Sequence, residues 1–158
     1  MHALYTLAIV VLAIVLSPWF FYQAIRYRKY YGSLTQRMGF LPVSFNLDGD
    51  ESIWIHAVSV GEALTARALI ADLRERYPGL KIFLSTTTLT GQQIARSRLQ
   101  DVDAVFFLPF DLPPFVNRTL RLVKPRVFLL METELWPNLL RACRRRGVKT
   151  ILDNGRIS

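Results

Sequence analysis

Apolar residues follow two patterns along this chain. Between His2 and Arg26 no residue is charged. As a helix, Ala3 to Ile25 would extend roughly 34 Å at ~1.5 Å per residue, enough to cross a hydrocarbon core of ~30 Å. The run predicts a membrane anchor over residues 1–25. A cleaved signal peptide is the competing reading. It lacks a basic start, and Pro18-Trp-Phe-Phe-Tyr22 stands where small cleavage-site residues belong. Trp19 to Tyr22 suit an interfacial aromatic belt, and Pro18 suits a kink near the helix end. Arg26, Arg28, Lys29 and Arg37 follow, with no Lys or Arg before the run. That asymmetry predicts a single pass, with the bulk of the chain in the cytoplasm.

The second pattern starts at Ser52, where short β-branched and aromatic runs alternate with helical spacing. Strands are predicted at Ser52–Val58, Lys81–Thr86, Ala104–Leu108, Arg126–Met131 and Lys149–Asp153. Helices are predicted over Ala63–Tyr77, Thr90–Leu99, the segment from Pro113-Pro114 to Val123, and Leu135–Arg146. In the first of these, Leu64, Ala68 and Ala71 are expected on one face, with Leu69 and Leu73 beside it. Five β/α repeats with short connections predict a Rossmann-like α/β domain over 52–158, its sheet parallel and doubly wound. Residues 26–51 read as a juxtamembrane linker. Its Arg37-Met-Gly-Phe-Leu-Pro42 segment either lies along headgroups, dipping Phe40 and Leu41, or is an ordinary connection.

Charge adds a partner class. The net charge of +8 and pI near 10.1 favour an anionic one. Nucleic acid is not expected, because no recognition motif accompanies the basic helices; anionic lipid is the simpler reading. Cys143 is the only cysteine, which rules out an intrachain disulfide. With His2 and His56 it cannot build an ordinary structural zinc site, and no metal is expected. Asp101-Val-Asp103 precedes a strand and reads as a turn.

The chemistry is expected at the carboxyl ends of the strands, where open α/β sheets bind ligands. Four strand ends carry small and polar residues: Ser59-Val-Gly-Glu62, Ser85-Thr-Thr-Thr88 with Thr90-Gly91, Glu132-Thr-Glu134 and Asn154-Gly-Arg156. Amides and hydroxyls there suit sugar hydroxyls or phosphates. The substrate-binding set is therefore Ser59, Gly61, Thr86, Thr88, Gly91, Glu132, Glu134 and Arg156. Glu62 falls in a first helical turn, whose dipole keeps a carboxylate ionised. It reads either as a general base or as a helix-capping acid. Of Glu132 and Glu134, one is expected toward the cleft and the other paired with an arginine such as Arg156. His56 reads as a hydrogen-bonded core residue and Trp136 as packing at a helix start. There is no Gly-x-Gly-x-x-Gly after the first strand and no Walker loop.

Trp54-Ile-His-Ala-Val-Ser-Val-Gly-Glu62, Ser85-Thr-Thr-Thr-Leu-Thr-Gly91, Leu108-Pro-Phe-Asp-Leu-Pro113, Met131-Glu-Thr-Glu-Leu-Trp-Pro-Asn138 and Asn154-Gly-Arg-Ile-Ser158 occur in one order. Together they closely resemble the N-terminal half of the Kdo (3-deoxy-D-manno-octulosonic acid) transferases of lipopolysaccharide biosynthesis. The resemblance implies a metal-independent, inverting GT-B glycosyltransferase with no cofactor. Such an enzyme moves Kdo from CMP-Kdo to the lipid A precursor at the cytoplasmic face of the inner membrane. It also implies that the N-terminal domain binds the acceptor, with Glu62 as general base and the Glu132-Thr-Glu134 motif in the same cleft. CMP-Kdo would be held by a C-terminal donor domain that this chain lacks, so turnover by these residues alone is not expected. Two alternatives remain: a GT-B transferase for another lipid-linked acceptor, and a non-catalytic membrane-tethered binding module.

Overall fold

The computed structural model describes residues 2–26, 31–42, 46, 48–58, 60–131 and 136–153, leaving out the side chains of 2, 3, 13, 19–26, 31 and 32. Ser59, Glu132, Glu134 and Arg156 lie outside these residues, as do the side chains of the expected aromatic belt. Two helices come first, α1 (His2–Arg26) and α2 (Tyr31–Arg37). They precede β1 (Ser52–His56), α3 (Val60–Arg76), β2 (Lys81–Thr86), α4 (Leu89–Arg98) and β3 (Ala104–Phe107). The chain continues through α5 (Pro113–Val123), β4 (Pro125–Leu130), α6 (Pro137–Arg145) and β5 (Lys149–Leu152).

All strand pairings are parallel, and the order is β3-β2-β1-β4-β5. β1 is central, and all five of its residues are buried. Its alternate residues feed two cores. Trp54 packs with Phe83, Phe106 and Phe128 under Val116, Leu120 and Val123 of α5 and Leu139, Ala142 and Cys143 of α6. Ile53 and Ile55 pack with Ile82, Leu84 and Leu129 under Ala63, Ala66 and Ile70 of α3 and Ala95 of α4. The sheet is thus doubly wound, as the alternating pattern predicts.

Two expectations are corrected here. In α3 the buried face is Ala63, Ala66 and Ile70, flanked by Leu69 and Leu73, whereas Leu64, Ala68 and Ala71 are exposed. Apolar residues surround that helix, so spacing alone did not select the inner side. The second correction concerns Arg37 to Pro42. Leu41 joins the aromatic core at 8% exposure instead of dipping into a headgroup layer. Arg118 stacks over Phe40, 4.0 Å from its ring. Gly39 makes the close approach possible. Its φ is +78°, and a β-carbon there would sit 2.8 Å from the Phe115 carbonyl.

The membrane span expected over residues 1–25 is not supported. Among the described residues no helix is long and apolar enough to cross a membrane. The start of α1 is instead tied to the sheet domain. The Tyr5 hydroxyl donates to Asp111 Oδ2 at 2.9 Å, and the Thr6 hydroxyl donates to Asn138 Oδ1 at 3.3 Å. Leu4, Leu7, Leu12, Ile14 and Val15 remain exposed along the same helix.

Candidate functional site at the carboxyl edge of the sheet

β1 ends at His56, and the chain turns into α3 within a few residues. Glu62 lies in the first turn of that helix. Its Oε2 accepts the Val58 N–H at 2.6 Å, a bond from the connection between β1 and α3. This bond fixes the carboxylate beside the carboxyl end of β1 while leaving it half-buried. A carboxylate held there stands where it could accept a proton from a hydroxyl at that edge. Gly61 is exposed in the same turn.

The threonines after β2 take different roles. Thr86 is wholly buried, and its hydroxyl reaches the Thr88 carbonyl at 3.5 Å. Thr88 is the N-cap of α4, its hydroxyl accepting the Gly91 N–H at 3.0 Å. Gly91 is buried inside α4. These side chains take part in the local fold, and of them Thr88 is exposed. Asp103, from the Asp-x-Asp set aside as a turn, accepts from Arg74 and from the Ile82 N–H. These bonds and the nearby Lys81 hold its carboxyl below the usual carboxylate range, against the effect of its burial.

The structure adds residues to this edge that sequence reasoning placed elsewhere. α2 is stitched across the ends of β2 and β3. Gln36 Oε1 accepts the Phe107 N–H at 3.2 Å, and the Phe110 N–H donates to the Arg37 carbonyl at 2.9 Å. The Arg37 guanidinium donates to the Thr87 carbonyl and lies 4.8 Å from the Phe107 ring centre. No sequence signal announced this. Apart from Leu34, the seven residues of α2 are aromatic, small or polar, and the partners of Gln36 and Arg37 lie about 50 to 70 positions away.

His56 forms the floor at the end of β1. It is 2% exposed, with Nδ1 2.9 Å from Ser85 Oγ. The same hydroxyl oxygen accepts the Trp54 indole N–H at 2.8 Å. Burial, with a smaller contribution from the Arg37 charge, pushes the imidazole down to about 4, against the backbone bond to Ser85. The unfolded chain therefore takes up a proton near pH 6.5 that the native protein refuses until about pH 4. Stability should be intact above pH 6.5 and fall by about 3 kcal/mol on acidification toward pH 4. Urea denaturation at pH 7.5, 5.5 and 4.5 would show it. His56→Gln should flatten the decline between pH 6.5 and 4.5, and an unchanged slope would refute this account.

A separate groove of about 810 Å³ lies between α3 and the β4–β5 side of the sheet, lined by Leu69, Leu73, Val127, Leu129 and Ile151. None of the residues at the carboxyl edge lines it.

A parallel doubly wound sheet with a positioned carboxylate and a cation at its carboxyl edge is the architecture of a Rossmann-like ligand-binding domain. Residues 32–158 match the family model of 3-deoxy-D-manno-octulosonic-acid transferase (kdotransferase). The chain belongs to that family. It is 36% identical over 133 residues to the 3-deoxy-D-manno-octulosonic acid transferase of Haemophilus influenzae, covering 84% of this chain and 30% of that protein. The Bordetella pertussis protein of the same name is 42% identical over 115 residues, covering 67% of this chain and 26% of the relative. That of Chlamydia muridarum is 28% identical over 156 residues, covering 98% of this chain and 36% of the relative. The chain thus spans about a third of the length of these curated relatives.

Proposed function

We propose that this chain is the acceptor-binding part of an inverting, metal-independent Kdo transferase of the GT-B type. The donor is CMP-Kdo, and the acceptor is the lipid A precursor. Family membership over residues 32–158 carries the reading, and the geometry of Glu62 supplies its chemistry. An acceptor hydroxyl oxygen attacks the anomeric carbon of Kdo from the face opposite the leaving group. The bond from that carbon to the CMP phosphate oxygen breaks, and CMP departs with the electron pair. Glu62 accepts the hydroxyl proton, and the attacked carbon is inverted. CMP-Kdo is held by a donor domain outside residues 1–158. Glu132, Glu134, Ser59 and Arg156 belong to the acceptor side of the same cleft in this reading.

The test is transfer from labelled CMP-Kdo by a full-length protein carrying this segment. Lipid A precursor and an undecaprenyl-linked acceptor would be offered in parallel. Labelling of the first alone is expected. Labelling of the second alone would replace the acceptor, and labelling of neither would overturn the reading.

Membrane contact by α1, with the remaining chain at the cytoplasmic face of the inner membrane, belongs to the same proposal. Its support is the exposed Leu4, Leu7, Leu12, Ile14 and Val15 and the basic residues after the helix. A single-pass arrangement requires Tyr5 and Thr6 to release Asp111 and Asn138, because the far end of a spanning helix lies ~30 Å away. A reporter fused after Asp50 should be active only in its cytoplasmic form, and periplasmic activity would reverse the topology.

A further inference from the structure

The two helical layers of this fold are charged differently. On one side of the sheet α3 carries Arg67, Arg74 and Arg76, and it balances them with Glu62, Asp72 and Glu75. Arg76 pairs with Asp72 within that helix, and Arg74 pairs with Asp103. On the other side α5 and α6 contain no acidic residue. Arg118 and Arg121 stand on α5, Arg141, Arg144 and Arg145 on α6, and Arg146 caps the end of α6. Among the described residues none of these six pairs with a carboxylate. From Leu112 to Leu152 the chain holds nine of its 20 Lys and Arg but only two of its 12 Asp and Glu. The positive excess therefore belongs to one face and not to the whole surface.

That face is shaped as well as charged. Arg141, Arg145 and Arg146 line a recess of about 90 Å³ between α5 and α6, together with Asn117 and Asn138. The Arg146 guanidinium donates to the Asn117 carbonyl and side-chain oxygen at 3.3 and 3.1 Å, while Arg141 and Arg145 are exposed. Asn138 joins the recess to α1, because its Oδ1 accepts the Thr6 hydroxyl. The exposed Leu4 and Leu7 lie within one turn of Thr6. An apolar helix and an acid-free basic face thus meet at one corner. An anionic lipid surface matches both, with phosphates at the level of the arginines and hydrocarbon just beneath. A nucleic acid would satisfy the arginines and leave the leucines in water. We infer that the α5–α6 face, centred on Arg141 and Arg145, docks on the headgroups of an anionic phospholipid bilayer. The inference rests on the membrane contact proposed above for α1 and adds the surface that orients the domain. The recess begins at Pro113 and Asn138, in the first turns of α5 and α6, and those helices follow the carboxyl ends of β3 and β4. Docking there brings the candidate site to the bilayer that carries a lipid-linked acceptor.

The test is co-flotation of the full chain, delivered from detergent micelles, with two kinds of vesicle. One is phosphatidylcholine, and the other is equal parts phosphatidylcholine and phosphatidylglycerol. Binding to the neutral vesicles reads α1 alone, and the gain on the anionic ones reads the basic face. That gain should be about a hundredfold and should fade as salt rises, because the charges are exposed. Arg141→Gln with Arg145→Gln should weaken anionic binding by about tenfold and leave neutral binding unchanged. Lysine at both positions should keep most of it. Glutamine preserves helical propensity, and Arg146, which bonds α5, stays in place, so the fold should hold. Arg67→Gln with Arg98→Gln removes the same charge from the opposite face and should weaken binding by less than about twofold. Equal binding to the two vesicles overturns the inference, and so does an equal loss from both glutamine pairs. Tighter binding to duplex DNA than to anionic vesicles at matched phosphate would also overturn it, making this a nucleic-acid face. Anionic binding that needs Arg141 and Arg145, with no binding to neutral vesicles, would support the face and remove α1 from the membrane proposal.

Discussion

In a full-length transferase containing this segment, Glu62→Gln is expected to lower turnover by about 10²–10⁴-fold, the range a positioned general base supplies. The melting temperature should stay nearly constant. Glutamine keeps the shape of the side chain and an oxygen able to accept the Val58 N–H, now bonded to Glu62 Oε2 at 2.6 Å. What it cannot do is take a proton from a sugar hydroxyl. KM for the acceptor should move little, because the loss falls on the transition state. Glu62→Ala should add a capping penalty of about 1 kcal/mol, small beside total stability. Were Glu62 only a helix cap, the pattern would reverse: Glu62→Ala would melt earlier, while folded Glu62→Gln would turn over normally. Near-normal kcat in the glutamine variant moves the base to Glu132 or Glu134.

The parts of the fold visible in the sequence were those set by local pattern. β1 to β5 are short apolar runs between turn residues, and each formed within two residues of its expected bounds. Glu62 was legible because a small-residue turn followed by helix-forming residues fixes where a first-turn acid must sit. Residues whose role depends on distant partners were not legible. Gln36 and Arg37 look like a basic linker until β3 and the β2 loop supply the Phe107 N–H and the Thr87 carbonyl. His56 was expected to be a hydrogen-bonded core residue. Its Nδ1 is one, and its Nε2 is not. No periodicity distinguishes those two nitrogens. Thr88 and Gly91 were read as ligand contacts from their position after β2, yet one bond between them already starts α4. A polar residue at a strand end has two competing uses, and only geometry shows which is taken.

Asp111 shows the same limit and carries the second large effect. Flanked by Phe110 and Leu112 between prolines, it entered the sequence reading only as part of the Leu108-Pro-Phe-Asp-Leu-Pro113 motif. In the structure it is 4% exposed and caps a helix from outside. Trp136, the N-cap of α6, provides no capping bond. Asp111 accepts the Asn138 N–H at 3.0 Å and the Leu139 N–H at 2.8 Å, and the Asn138 amide donates to the Asp111 carbonyl at 2.7 Å. The Tyr5 hydroxyl completes the set. Asp111→Ala leaves two buried helix amides without acceptors and removes a charge-assisted interaction. The expected loss is about 2–4 kcal/mol. For a domain of this size that lowers the melting temperature by roughly 5–15 °C. Tyr5→Phe should cost about 1 kcal/mol, since the amides of α6 remain satisfied. The double variant should cost less than the sum, because Asp111→Ala already removes the tyrosine's acceptor. Equal losses for the two single variants would mean that Asp111 matters through α1 and not through α6. Repeating Tyr5→Phe in phospholipid bilayers then asks where α1 lies. A helix drawn into the membrane has surrendered its bond to Asp111, so the substitution should cost nothing there.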